Sequence, residues 1–218
     1  MNDLTSITEQ IQAAFTAKNN ARDDAIARSR ELIRRCAESI RAIHRHEWEA
    51  ADEKLALVRT GARELREVVA DYPDLYHTGY TQDALKEVVE AHATYAMVRG
   101  EALPTPETLA VEYATYLNGL AEAATELRRF ILDILRRKDG DSDEAERLLN
   151  WMDAIYDELV TFDFPDAITG GLRRQTDVVR GVLERTRGDL TLTLRQQRLE
   201  DALRRFEERM FEGDDSAT

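Results

Sequence analysis

The chain offers almost nothing from which a disulfide scaffold, a β fold or a membrane span could be built. Its single cysteine, Cys36, excludes an intramolecular disulfide and fits a reducing compartment. Its setting in ELIRRCAESI suggests a small buried residue rather than a nucleophile. Four prolines and ten glycines in 218 residues are too few for a loop-rich β protein. No apolar run approaches the roughly 20 residues that cross a bilayer. The polar opening MNDLTSITEQ lacks the features of a signal peptide. A soluble, cytoplasmic protein with no membrane partner is expected. Lysine is scarce as well: only Lys18, Lys54, Lys86 and Lys138 among 30 cations, against 43 carboxylates. The net charge of −13 argues against a generic, sequence-blind nucleic-acid coat. Acid excess with scarce lysine fits a salt-adapted, halophilic cytoplasm, and a GC-rich genome would also favour arginine. At high salt, arginine's bidentate grip on phosphate is worth more than diffuse charge.

What is present is helical periodicity from end to end, with no strand and no short-period repeat. The pattern predicts one all-α domain of about seven helices over residues 1–212, and an acidic disordered tail at 213–218. Residues 4–20 read as a weak helix, and an apolar stripe through Ile26, Leu32, Ile33, Cys36, Ile40 and Ile43 follows it. Arg30, Arg34, Arg41 and Arg45 share one face beside that stripe, either as a solvated face paired with Glu31, Glu38 and Glu49 or as a phosphate-contacting ridge. His44 and His46 have no Glu-x-x-His partner, which demotes a di-iron bundle and leaves them as surface or interface histidines. A second helix is expected over 47–70 and is stopped before Pro73. Tyr76 to Tyr80 reads as a connector without a site, and Thr81 as the next N-cap. Gly100 suits a C′ position, Thr105 an N-cap and Pro106 a first helical turn. Further helices are expected over 107–138 (closed by Arg136, Arg137, Lys138 and Gly140), from Asp141/Ser142 to Leu159, over 172–188 and over 191–210, the last burying Leu194, Leu199, Leu203 and Phe206. Trp151, Tyr156, Phe162 and Phe164 are the expected subunit contact.

ALKEVVEAHATYAMV (84–98) is apolar nearly all round, as an inner helix packed on more than one face would be. It nevertheless carries Glu87 and Glu90, three apart on the side opposite the Leu85, Val88, Val89, His92 stripe. Two poorly solvated like charges stay ionised only with a partner such as an arginine or a divalent cation. On the next long helix, Glu122 and Glu126 are one turn apart, a spacing that also fits a solvated face with an Arg129 salt bridge. Two consecutive, antiparallel helices would let the four carboxylates meet at one level. Such a hard, anionic cluster suits magnesium or manganese, which serve phosphodiester chemistry by polarising a phosphoryl oxygen and acidifying a water. All-α nucleotide pyrophosphatases present similar acidic pairs, so spacing alone leaves both readings open.

At these same residues the sequence resembles the translin/TRAX family. SRELIRRCAESIRAIHR (29–45) looks like that family's first long helix, and LKEVVEAHATY (85–95) is similar to the TRAX segment containing Glu-Tyr-Val-Glu-Ala. YLNGLAEAATELRR (116–129) resembles its Tyr-Leu-Leu-Gly-Val-Ala-Asp-Leu-Thr-Gly-Glu-Leu stretch, and FDFPDAITGGLRRQTDVVRGVLERTRGDL (162–190) its C-terminal helix pair. The resemblance implies a hollow octameric homo-oligomer that binds single-stranded RNA or DNA. In the TRAX branch it implies a magnesium-dependent endoribonuclease site facing the cavity. The four TRAX acids fall on Glu87, Glu90, Glu122 and Glu126, with Glu122 standing where TRAX has aspartate. Translin, the non-catalytic branch, lacks the full set, so a binding shell without catalysis is the alternative. A nucleotide pyrophosphatase is the second alternative.

Overall fold

The computed structural model describes residues 2–137 and 141–214, all in helices or the connections between them, with no strand among them. Six long helices make the body: α1 (Asn2–His44), α2 (Trp48–Val68), α4 (Gly79–Arg99), α6 (Tyr113–Leu135), α7 (Ser142–Leu159) and α9 (Leu172–Asp214). Three single turns punctuate the connections: α3 (Pro73–Tyr76), α5 (Pro106–Leu109) and α8 (Asp166–Thr169). Among the described residues, no helix is long and apolar enough to cross a membrane.

The helix ends follow local chemistry. Asp141 caps α7 by accepting from the Asp143 and Glu144 amides, and Thr105 caps α5 by accepting from Thr108. Gly100 closes α4 in the left-handed region, at φ 70°. Other boundaries depart from expectation. The helix expected over 107–138 is broken at Ala110, whose φ of 53° is left-handed, and α6 begins afresh at Tyr113. The α4 cap is Thr78 rather than Thr81, which is buried. The two C-terminal helices are one, because a glycine such as Gly188 costs a helix only about 1 kcal/mol and does not end it. α9 also runs through 213 and 214, the start of the expected tail, while 215–218 and the expected helix closure at Lys138 and Gly140 lie outside the described residues.

α4 is the shared wall of two cores. Ala84, Leu85, Val88, Val89 and Ala91 pack with α1 and α2, and Ala93 and Met97 pack with α6, α7 and α9. This explains why α4 has buried residues around its whole circumference. The two longest helices overreach the bundle: Leu4, Ile7, Ile11 and Phe15 of α1, and Leu192, Leu199, Leu203 and Phe206 of α9, are exposed. The expectation that Leu199, Leu203 and Phe206 are core is thus overturned, since among the described residues no element covers that part of α9.

α4 and α6 cross closely at Gly119. A Cβ there would lie 2.6 Å from Val89 Cβ and 2.7 Å from the Lys86 carbonyl oxygen. Only a residue without a side chain permits this approach, and the α4 residues it touches flank Glu87 and Glu90.

Candidate functional site

Around that crossing, Glu87 and Glu90 of α4 and Glu122 of α6 each bring a carboxylate oxygen within 4.8 Å of the others. All three are half-buried. Burial pushes Glu90 up to about 8, with the charges of Glu87, Glu122 and Glu126 adding to the shift. Glu87 is raised too, first by burial and then by Glu122. The α4 pair thus lacks the compensation that two buried carboxylates require.

Glu122 has partners from two other elements. Lys86 Nζ donates to its Oε1 at 2.7 Å, and Gln175 Nε2 of α9 donates to the same oxygen at 3.0 Å. Burial opposes the Lys86 charge, but Glu122 outweighs it and holds the ammonium above its ordinary range. The protein counter-charge at the cluster is therefore a lysine on Glu122; of the partners expected for the α4 pair, an arginine or a divalent cation, no arginine is paired with it among the described residues.

Glu126 stands apart from the group of three. Its Oε1 is in a hydrogen bond with His44 Nε2, and the imidazole stacks on Phe130 at a centroid distance of 4.0 Å. His44 is thus not an ordinary surface residue: its side chain is 4% exposed, and its Nδ1 is buried without a partner. His46, by contrast, is exposed. Neither His44, expected as a surface or interface histidine, nor Lys86 has its partner close in the chain, so neither pairing shows in the sequence. The signals were nevertheless there: His44 borders the Ile40–Ile43 stripe, and Lys86 is the one lysine or arginine in the 84–98 stretch. The expected salt bridge between Arg129 and the α6 acids does not form. Arg129 is exposed, and it is Arg128 that turns inward, to Thr186 at 3.0 Å and Asp189 at 2.8 Å.

Cys36 is buried, and burial followed by the charges of Glu87 and Glu90 pushes its thiol up, which keeps it protonated and inert. The α1 arginines divide. Arg34 is spent on Glu31 and Glu38, as a solvated face would be, and Arg45 lies 3.9 Å from Glu47. Arg30 and Arg41 are exposed, with no ion pair among the described residues. Tyr156 and Trp151 pack against the core while Phe162 and Phe164 are exposed.

Beside the carboxylates, an open groove of about 1010 Å³ runs between α4, the start of α6 and the α8–α9 junction. Lys86 and Gln175 line it, so the groove leads to Glu122. His77, in the segment expected to carry no site, lies on its rim.

Comparison with known proteins gives a consistent result. No protein-family model matches the chain. The Methanocaldococcus jannaschii protein MJ0175 is 30% identical over 192 residues, spanning 87% of this chain and 84% of that protein. AfC3PO in complex with duplex RNA is 36% identical with a TM-score of 0.73, covering 85% of this chain and 95% of that one. AfC3PO alone is 34% identical with a TM-score of 0.78, covering 85% and 96%. Apo-NeC3PO, at 21% identity and a TM-score of 0.75 over 88% and 98%, shares the fold. AfC3PO and NeC3PO are translin/TRAX-like C3PO components. With its inner α4, its four ordered sequence blocks and this degree of likeness, the chain belongs to the translin/TRAX family.

Proposed function

We propose that the protein is a metal-dependent endoribonuclease that cuts single-stranded RNA inside a hollow homo-oligomer, an octamer by family resemblance. The observation that carries this reading is the convergence of Glu87, Glu90 and Glu122 within 4.8 Å across the α4–α6 crossing. That spread suits oxygens sharing one hard cation at bonds of about 2.0–2.6 Å. The three-acid group contains no thiolate or imidazole, which favours magnesium or manganese over zinc. The cost of ionising Glu90 is the cost a cation would remove. Glu87, Glu90 and Glu122 would hold the ion, with Glu126 as the further acid of the site. When bound, it supplies Lewis-acid polarisation of a phosphoryl oxygen and a more acidic water.

The chain's own groups supply the rest. Glu126, whose oxygen faces the His44 ring nitrogen, is the proton acceptor we assign. Arg30, Arg41 and Arg45, and Arg34 when released from its acids, are the backbone contacts proposed on α1. RNA as the ligand is supported by the duplex-RNA complex of AfC3PO, while the preference for single strands rests on the family resemblance. The exposed apolar stripes at the ends of α1 and α9 support assembly.

A second reading, an RNA-binding shell without catalysis, is favoured by one observation: Lys86 already supplies Glu122 with a cation. Labelled single-stranded RNA incubated with magnesium, with chelator, and with Glu126→Gln separates the two. Magnesium-dependent cleavage that the substitution abolishes is the expected result. Binding of RNA, or of single-stranded DNA, without cleavage would establish the shell alone. Hydrolysis of free nucleoside triphosphates would replace both with a pyrophosphatase.

A further inference from the structure

The groove beside Glu122 mixes features that a solvated surface does not require. Tyr113, the first residue of α6, is 68% exposed and forms one wall. Ile168 and Val178, also exposed, line the groove with it. Arg174 lies on the same groove, and its guanidinium has no carboxylate partner among the described residues. Its neighbours Arg173 and Arg180 are paired, with Asp163 and Asp177. The groove also carries two acids, Glu112, which lies against the Tyr76 hydroxyl, and Asp83, whose charge is felt by Lys86. An aromatic face, apolar neighbours and one uncommitted guanidinium fit a nucleobase with its phosphate.

We infer that this groove seats a nucleotide next to the cleaved bond, with its base stacked on Tyr113 against Ile168 and its phosphate held by Arg174. The inference rests on the reading that RNA reaches the carboxylates, and it adds a reason for strand preference. A base can lie on Tyr113 only after leaving its neighbours, as a single strand allows, whereas a duplex offers grooves and backbone. The seat is continuous with the carboxylates, because Lys86 and Gln175 line the groove and donate to Glu122. Tyr113 and Arg174 therefore determine which strands bind, without touching the reacting atoms.

The test is fluorescence anisotropy on the full chain, with chelator present so that no strand is cut, using labelled oligouridine and a blunt RNA duplex. Tyr113→Ala is expected to weaken oligouridine binding about tenfold, within the range for loss of one base stack, and to leave duplex binding unchanged. Tyr113→Phe should restore the affinity. Arg174→Gln should weaken oligouridine binding and make its salt dependence shallower by about one phosphate contact. Both side chains are exposed, so the circular dichroism spectrum should not change. Equal losses on single strand and duplex, or no loss on the single strand, would overturn the groove assignment while leaving cleavage at the carboxylates standing. A wild-type chain that binds no RNA would overturn both.

Discussion

The α4 and α6 carboxylate pairs begin from the same helical arithmetic and meet burial in opposite ways. Glu122 and Glu126 each have a donor from a distant part of the chain, Lys86 with Gln175 for one and His44 for the other. Glu87 and Glu90 have mainly each other, and burial raises them both. The α6 pair is satisfied by the fold itself; the α4 pair stays costly until protons or a cation arrive. Spacing along a helix decides which face two acids share, but the elements packed on that face decide whether the acids are neutralised. The pair the fold leaves uncompensated is the one that points to a ligand.

The comparison breaks most visibly if the α4 pair is dispensable. Glu90→Gln keeps size and burial but removes a ligand, and RNA cleavage should fall about a hundredfold or more, since even changes around the ligands cost 10–100-fold. Retained cleavage would mean that these acids are structural. Next in size is the crossing that brings the pairs together. Gly119→Ala raises helix propensity by about 1 kcal/mol, yet its Cβ would collide with Val89 and the Lys86 carbonyl. We expect a net loss of about 1–3 kcal/mol in urea unfolding, with weaker manganese binding. A more stable variant would show that the helices can part freely.

His44→Phe probes the satisfied pair. It keeps an aromatic ring beside Phe130 but frees Glu126, and manganese affinity measured by calorimetry should fall about tenfold. Unchanged affinity would confine His44 to packing. Stability against pH returns to the α4 pair. Glu90 is raised from 4.5 to about 8 in the fold, so the folded chain binds the extra proton between those values. Its contribution is present in full below about 4.5 and is lost as pH rises through about 8. In chelator, the melting temperature should decline across that window, and Glu90→Gln should flatten the decline.

Much of this site was legible in the sequence, and the limits are physical. Glu87 and Glu90 could be placed together because helical geometry is local, and the Asp141, Thr105 and Gly100 termini were readable because caps act over a few residues. Of the four acids expected to meet across two consecutive helices, Glu122 joins the α4 pair and Glu126 turns to His44 instead. The connections from Lys86 to Glu122, from His44 to Glu126 and from Gln175 to Glu122 span 36, 82 and 53 positions, and only the packed fold brings them together. Ala110 offered no warning of its left-handed turn. Gly188 suggested a break that a continuous helix absorbs. The groove at Tyr113 was not legible at all, since α4, α6, α8 and α9 form it jointly.

Anomalous diffraction from crystals soaked in manganese decides whether α4 and α6 together build a hard-cation site. One strong peak is expected at bonding distance, about 2 Å, from oxygens of Glu87, Glu90 and Glu122. No peak there, with Lys86 Nζ still on Glu122, would contradict it.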